Sequence, residues 1–359
     1  MDAVLMIFYA IIVLGVLVVI HEGGHFLAAR AFGVRVTEFM VGLPGPSLGF
    51  WRKGTRYGVT AVPLGGYTRV CGMEAGEESP YLPRTVQMVY ERGTLTMDDV
   101  EEELGLSEEE AGHALDELSE WGTIRPPKRS DKYNTYRTPA SKQTCDGGKF
   151  EEGDPRPIPG GDAQAFIDEE RKVQYRNLPF WKRSVILLAG PLVNLVFALL
   201  VFVIVYSAIG VDYANEAGEL IHIQVDPLRA TSAGLNYIGM VFMAVLGLFN
   251  PVTAADTVSN SASVVGVAVM SKTAAEQGLL SFSMFCAMIS VSLGIMNMLP
   301  IPPLDGGRFA VEIYQRIRRR CVSQRAINAL SMVGMAAFFL LFVVMVNQDV
   351  QRFILGNWS

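Results

Sequence analysis

The chain has 359 residues, half of them hydrophobic and only 18% charged, with sixteen methionines and a formal net charge of −6. That balance excludes an ordinary soluble globular domain and points to a polytopic membrane protein. The negative charge comes largely from one hydrophilic segment and says little about the remainder.

Four apolar segments, at about 4–30, 184–209, 279–301 and 328–347, approach the roughly 20 residues that cross a bilayer. A fifth, at about 235–250, is shorter, holds Gly239 and Gly247, and reads as an interfacial or partly buried helix. The expected fold class is therefore α-helical and polytopic, with about four transmembrane helices in the cell membrane. The leading residues "MDAV" carry no positive charge, which argues against a cleaved signal peptide. Lysine and arginine concentrate in "WRKGTR", "ERKVQYRNLPFWKR" and "RFAVEIYQRIRRRCVSQR", whereas Val211 to about Gly278 has only Arg229 and Lys272. The basic loops are expected in the cytoplasm, with both termini extracytoplasmic.

The first unit, residues 1–73, carries "HEGGH" at the end of its apolar run. Ionisable groups beside hydrocarbon are costly and are usually functional. His21 and His25 stand four positions apart, so on a helix they share one face and both imidazoles can reach one metal ion. Glu22 projects beside them, where a carboxylate can take a proton from an attacking water and pass it to a leaving amine. The plainer alternative is an interfacial histidine pair with a snorkelling glutamate. Farther on, two extended stretches at about 46–52 and 56–63 flank Gly54 and Thr55, while Pro63, Gly65 and Gly66 interrupt any helix. This predicts a β-hairpin next to the membrane.

Residues 74–176 form a hydrophilic cytoplasmic insertion. In 84–138, apolar residues recur at helical spacing and Thr96 and Ser107 stand at expected N-caps; the three short helices and following segment resemble a winged-helix module. Between Met97 and Glu120 the only charged side chains are acidic, which argues against nucleic acid as a partner. The segment is either a site for a protein regulator or a solvated spacer, and 139–163 reads as a linker. His113 reads as a surface residue of an acidic helix.

The second span belongs to residues 177–210, and residues 211–278 form an extracytoplasmic segment in which His222 is isolated. Residues 279–327 hold the third span and a basic loop; the span ends "NMLPIPPLDGG", so Asp305 lies at the cytoplasmic end of this span, at the same depth as the histidine pair. A hydrolytic zinc site needs such a third ligand and an open position. Residues 328–359 hold the fourth span. Cys71, Cys145, Cys286 and Cys321 show no metal-type spacing and read as structural thiols.

"HEGGH" together with "NMLPIPPLDGG" resembles the site-2 protease family of intramembrane zinc metalloproteases, with motifs HExxH and NxxPxPxLDG. "LLAGPLVN" at 187–194 resembles that family's signature in the second span, and "VPLGGYTRV" its membrane-reentrant β-hairpin. The resemblance implies Zn2+ held by His21, His25 and Asp305, with Glu22 as catalytic base and acid. Asn297 and Asn194 are implied near the site, holding substrate backbone or the oxyanion, or else forming interhelical hydrogen bonds. An exposed hairpin edge could capture an unwound substrate, with Val59, Ala61, Gly65 and Gly66 as contacts; a merely structural hairpin is the alternative. The implied partners are single-span membrane proteins, such as anti-sigma factors or remnant signal peptides, within the lipid bilayer. A proteolytically silent scaffold of the same fold is the rival reading, and a transporter is disfavoured because the second and fourth spans have no charged residues in their cores. "GELIHIQVDPLRATSAGL" resembles the start of the PDZ domain that this family often carries, but too few residues follow to complete one.

Overall fold

A computed structural model of the chain describes residues 2–354, except 63–64, 74–76, 129–130, 132, 142–148, 215–219, 260 and 321. Cys145, Cys321, Pro63 and part of the PDZ-like fragment lie outside the described residues. Among those described, Cys71 and Cys286 are free thiols.

The chain opens with α1 (Asp2–Ala31), a continuous helix that is apolar from Ala3 to Ile20 and carries Arg30 in its last turn. Such a helix is apolar on every side, as expected where lipid and other helices replace water around it. A four-stranded sheet follows, built from β1 (Val36–Val41), β2 (Ser47–Arg52), β3 (Thr55–Thr60) and β4 (Gly66–Val70) in the order β2-β3-β1-β4. β1 and β3 are parallel and the other two pairings antiparallel. Lys53 and Gly54 join β2 to β3 with φ of 48° and 80°, the left-handed pair that matches hairpin twist. The two expected extended stretches are thus joined by a tight turn, β1 pairs with the second of them, and β4 pairs with β1.

The insertion contains α2 (Leu82–Arg92), β5 (Thr94–Thr96), α3 (Met97–Leu104), α4 (Glu108–Glu120), β6 (Thr135–Arg137) and α5 (Ala163–Lys172). Thr96 and Ser107 each close a reciprocal capping box, with Asp99 and Glu110 respectively. The helices enclose their own core around Leu82, Val86, Leu115, Leu118, Trp121 and Ile167. The described part of the expected linker is not free chain: the Arg156 amide donates to the Tyr90 carbonyl at 2.8 Å, and Ile158 packs on that core. Arg35 binds Glu170 through two hydrogen bonds of 2.5 and 3.0 Å, Cys71 Sγ donates to the Trp121 carbonyl, and the Arg125 guanidinium lies 4.0 Å from the Trp51 ring centre. These contacts dock the insertion on the sheet.

Then come α6 (Phe180–Val203), β7 (Val211–Ala214), β8 (Leu220–Ile223), α7 (Pro227–Gly247), α8 (Ala254–Ser259), α9 (Val264–Glu276), α10 (Leu279–Asn297), α11 (Asp305–Arg318) and α12 (Gln324–Asp349). Among the described residues, five helices are long and apolar enough to cross a membrane: α1, α6, α7, α10 and α12. The additional one is α7, which begins well before residue 235. The Asp226 carboxylate caps it by accepting from the Leu228 and Arg229 amides, and Pro227 occupies its first position. Arg229, Thr231 and Ser232 in its first two turns hide the helix from a search for uninterrupted apolar runs.

α6 is the centre of the bundle, packed between α1 and α10. Gly24 lets α1 approach it, since a Cβ there would lie 2.6 Å from the Ala189 carbonyl oxygen.

Candidate metal centre

The helical spacing of "HEGGH" puts His21 and His25 on the face of α1 turned toward α6. Both are buried, 8% and 7% exposed respectively, which leaves little room for the interfacial, water-facing alternative. Asp305 arrives from the turn between α10 and α11. That turn closes backbone on backbone: a Cβ on Gly306 would lie 2.2 Å from the Met298 carbonyl oxygen, and one on Gly307 2.2 Å from the Pro302 nitrogen. Two consecutive glycines are therefore needed to bring the aspartate in.

Asp305 Oδ2 lies 3.0 Å from His21 Nε2 and 3.2 Å from His25 Nε2, and the two imidazole nitrogens are 3.4 Å apart. The three ligand atoms fall within 4.8 Å of one another, a spacing suited to one cation. Behind this trio each imidazole is held by its other nitrogen. His25 Nδ1 donates to the Ile186 carbonyl at 2.7 Å, and His21 Nδ1 faces the Asn194 amide at 3.2 Å. Such outer partners fix the tautomer that leaves Nε2 free for a metal. Asn194 is fully buried, and its Oδ1 has no partner while its Nδ2 points at His21. Turning the amide over by half a rotation lets Oδ1 accept from a protonated Nδ1. The donor set and its supports thus fit a zinc-type ion.

Gly190 is the third glycine the site requires. A Cβ there would stand 2.3 Å from His25 Nε2 and 2.9 Å from His21 Cε1. The "AGPLVN" segment of α6 therefore contributes both a gap for the imidazoles and the amide behind one of them.

The trio opens into a cavity of about 760 Å3 that Glu22 and Asn297 also line. The Asn297 amide donates to the Leu293 carbonyl in its own helix at 3.0 Å. One wall is β4, from Gly66 to Val70. Gly66 allows that approach, because a Cβ would meet Val18 at 2.5 Å and Glu22 Cγ at 3.1 Å, and the Thr68 hydroxyl donates to the Glu22 carbonyl at 3.2 Å. Among the described residues β4 pairs only with β1, so its other edge is unpaired. Val59 and Ala61 do not share this wall: Val59 sits between Val41 and Leu48 on the interior strand β3, and the Ala61 amide donates to the Pro46 carbonyl. Gly65 precedes the edge strand with φ of 88°. The edge beside the metal site is thus β4, and Tyr67, Thr68 and Arg69 were missed because strand order is a non-local property.

A model of peptidase family M50 matches residues 9–341. The chain belongs to peptidase family M50. The resemblance of its motifs to site-2 proteases is thereby borne out, and with it a peptidase among whose described residues five helices could cross a membrane. The chain is similar to zinc metalloprotease RasP of Geobacillus kaustophilus, 23% identical over 96% of this chain and 97% of that protein. It is similar to the regulator of sigma-W protease RasP of Bacillus subtilis, 23% identical over 96% and 98% of the two chains. A putative zinc metalloprotease of Clostridium acetobutylicum is 26% identical over 95% and 96%. Further proteins similar to this chain carry protease names as well.

Proposed function

We propose that this M50 peptidase is an intramembrane zinc endopeptidase that hydrolyses peptide bonds in the transmembrane segments of single-span proteins. The observation that carries the reading is the meeting of His21, His25 and Asp305, about 280 positions apart in the chain, in one buried cluster that opens into a cavity shared with Glu22. His21, His25 and Asp305 would hold zinc, which supplies Lewis acidity for the carbonyl and a lowered water pKa. Glu22 would take the proton of the attacking water and deliver it to the departing amide nitrogen, so that cleavage ends with a free amine and a carboxylate. Ile186 and Asn194 hold the imidazoles in the ligating tautomer.

A transmembrane helix hides its amides in its own hydrogen bonds, so the scissile segment must be extended before attack. The unpaired edge of β4 is the nearest backbone able to receive it as an added strand. Asn297, which lines the same cavity, would contact the substrate backbone. The name of the Bacillus relative, regulator of sigma-W protease, supports a regulatory protease, and the substrate class proposed is anti-sigma factors or remnant signal peptides. The distribution of lysine and arginine supports a site toward the cytoplasmic side with both termini outside, a topology in which α7 enters the membrane without crossing it and α10 starts on the side where α6 ends. In that orientation the acidic face of α3 and α4 is available to a protein partner. The presence of Glu22 in the cavity speaks against the silent-scaffold reading.

The test is cleavage of co-expressed single-span reporters by the parent protein and its Glu22→Gln variant, with bound zinc quantified in both. Product with the parent alone, at equal zinc content, is the expected result. Equal processing by both, or none by either across a broad panel, would overturn the proposal.

A further inference from the structure

At the tip of the β2–β3 hairpin, away from the metal cavity, a second cavity of about 500 Å3 is lined by Phe26, Arg30, Phe50, Arg52, Lys53 and Tyr57. Its floor is aromatic: Phe50 stacks on Tyr57 with ring centres 5.6 Å apart, and Phe26 meets Tyr57 edge-on at 5.8 Å. Its rim carries three positive charges. Arg30, in the last turn of α1, donates to the Lys53 carbonyl at 3.2 Å and to Thr55 Oγ1 at 2.9 Å, which ties the hairpin tip to the helix end. Among the described residues, no carboxylate makes an ion pair with Arg30, Arg52 or Lys53, and none lines the cavity.

The hairpin also has a gradient along its length. Its tip lies level with Arg30, whereas Val41, the partner of Val59, pairs with Gly66, which packs on Val18, three helical turns back toward the apolar middle of α1. On that deeper half, Leu48 is 80% exposed and Val59 53%, and Phe50 between the two levels is 62% exposed. These three side chains share one face of the hairpin, and an exposed apolar face is a liability in water but suits hydrocarbon. Cations at one end, aromatic rings between and exposed aliphatic side chains at the other end match the order of groups in a phospholipid.

We propose that this cavity binds an anionic phospholipid, with the phosphate on Arg30, Arg52 and Lys53 and the acyl chains along Phe50 and Leu48. The headgroup supplies the negative charge that the protein does not. Because β4 belongs to the same sheet, the lipid clamps the wall of the metal cavity to the membrane surface. The assignment is independent of whether the metal site is catalytic.

The test is a titration of the full-length, detergent-solubilised protein with phosphatidylglycerol or phosphatidylcholine of identical acyl chains, counting bound lipid by intact-protein mass spectrometry. The parent protein should bind phosphatidylglycerol on the order of tenfold more tightly, with the preference lost in Arg52→Gln/Lys53→Gln and restored in Arg52→Lys/Lys53→Arg. Arg30 is left in place to hold the tip, and unchanged elution volume and zinc content establish that the variants are folded. Equal binding of the two lipids, or an undiminished preference in the neutral variant, would overturn the proposal. Displacement of phosphatidylglycerol by inorganic phosphate at comparable concentration would overturn it too, because the site would then read a free anion rather than a lipid.

Discussion

His21 and Asn194 face each other at 3.2 Å across the α1–α6 interface, with the amide fully buried and one of its polar atoms unsatisfied. Under the proposed zinc reading, Asn194 would orient His21 for the metal. Substituting Asn194→Leu should weaken zinc binding by roughly 10–100-fold, the usual consequence of removing an outer-shell partner. Competition with a graded chelator series measures this directly, and unchanged affinity would mean that Asn194 serves only interhelical packing.

Gly190 offers a sharper steric test. A single methyl there overlaps both imidazoles, so Gly190→Ala should lose bound metal and peptidase activity together. Overpacking of this kind costs about 1–3 kcal/mol. Gly15→Ala and Gly23→Ala, whose Cβ atoms would meet nothing within 4 Å, should retain both.

The insertion is predicted to respond to acid through its caps. Hydrogen bonds from the Thr96 backbone and side chain hold the Asp99 carboxyl below its ordinary value of 3.8. A depressed carboxylate contributes stability above the unfolded value and loses it as the pH falls through the folded one. Thr96→Ala should cost about 1 kcal/mol at neutral pH and flatten the acid limb of the unfolding curve. Circular dichroism melts of the parent and variant between pH 2 and 7 would show it.

Docking of the insertion can be followed through one thiol. Burial pushes Cys71 up to about 12, so at neutral pH its reactive thiolate is scarce and shielded. Maleimide should leave Cys71 intact in the native protein. Arg35→Ala, which removes both hydrogen bonds to Glu170, should accelerate its modification if those bonds hold the insertion over it. Peptide mapping after timed labelling gives the rate at Cys71 itself.

Much of the metal centre was legible in the sequence because its information is local. A four-residue spacing on a helix places two imidazoles on one face, and the depth at which an apolar run ends sets the level of Asp305. The bundle followed from the same apolar runs, except where polar residues in its first two turns concealed the length of α7. Strand order, by contrast, depends on which distant segments meet. The parallel pairing of β1 with β3 occupies the backbone of Val59 on both sides and leaves β4 at the cavity edge, an outcome that no local pattern encodes. The Ile186 carbonyl behind His25 is also invisible in sequence, since every residue has a carbonyl and only helix packing selects one. Composition and spacing alone therefore determined that His21, Glu22, His25 and Asp305 lie at the ends of apolar helices at one depth, while the packing of α6 and the fold of the sheet decided which groups hold the imidazoles and which strand edge lies beside them.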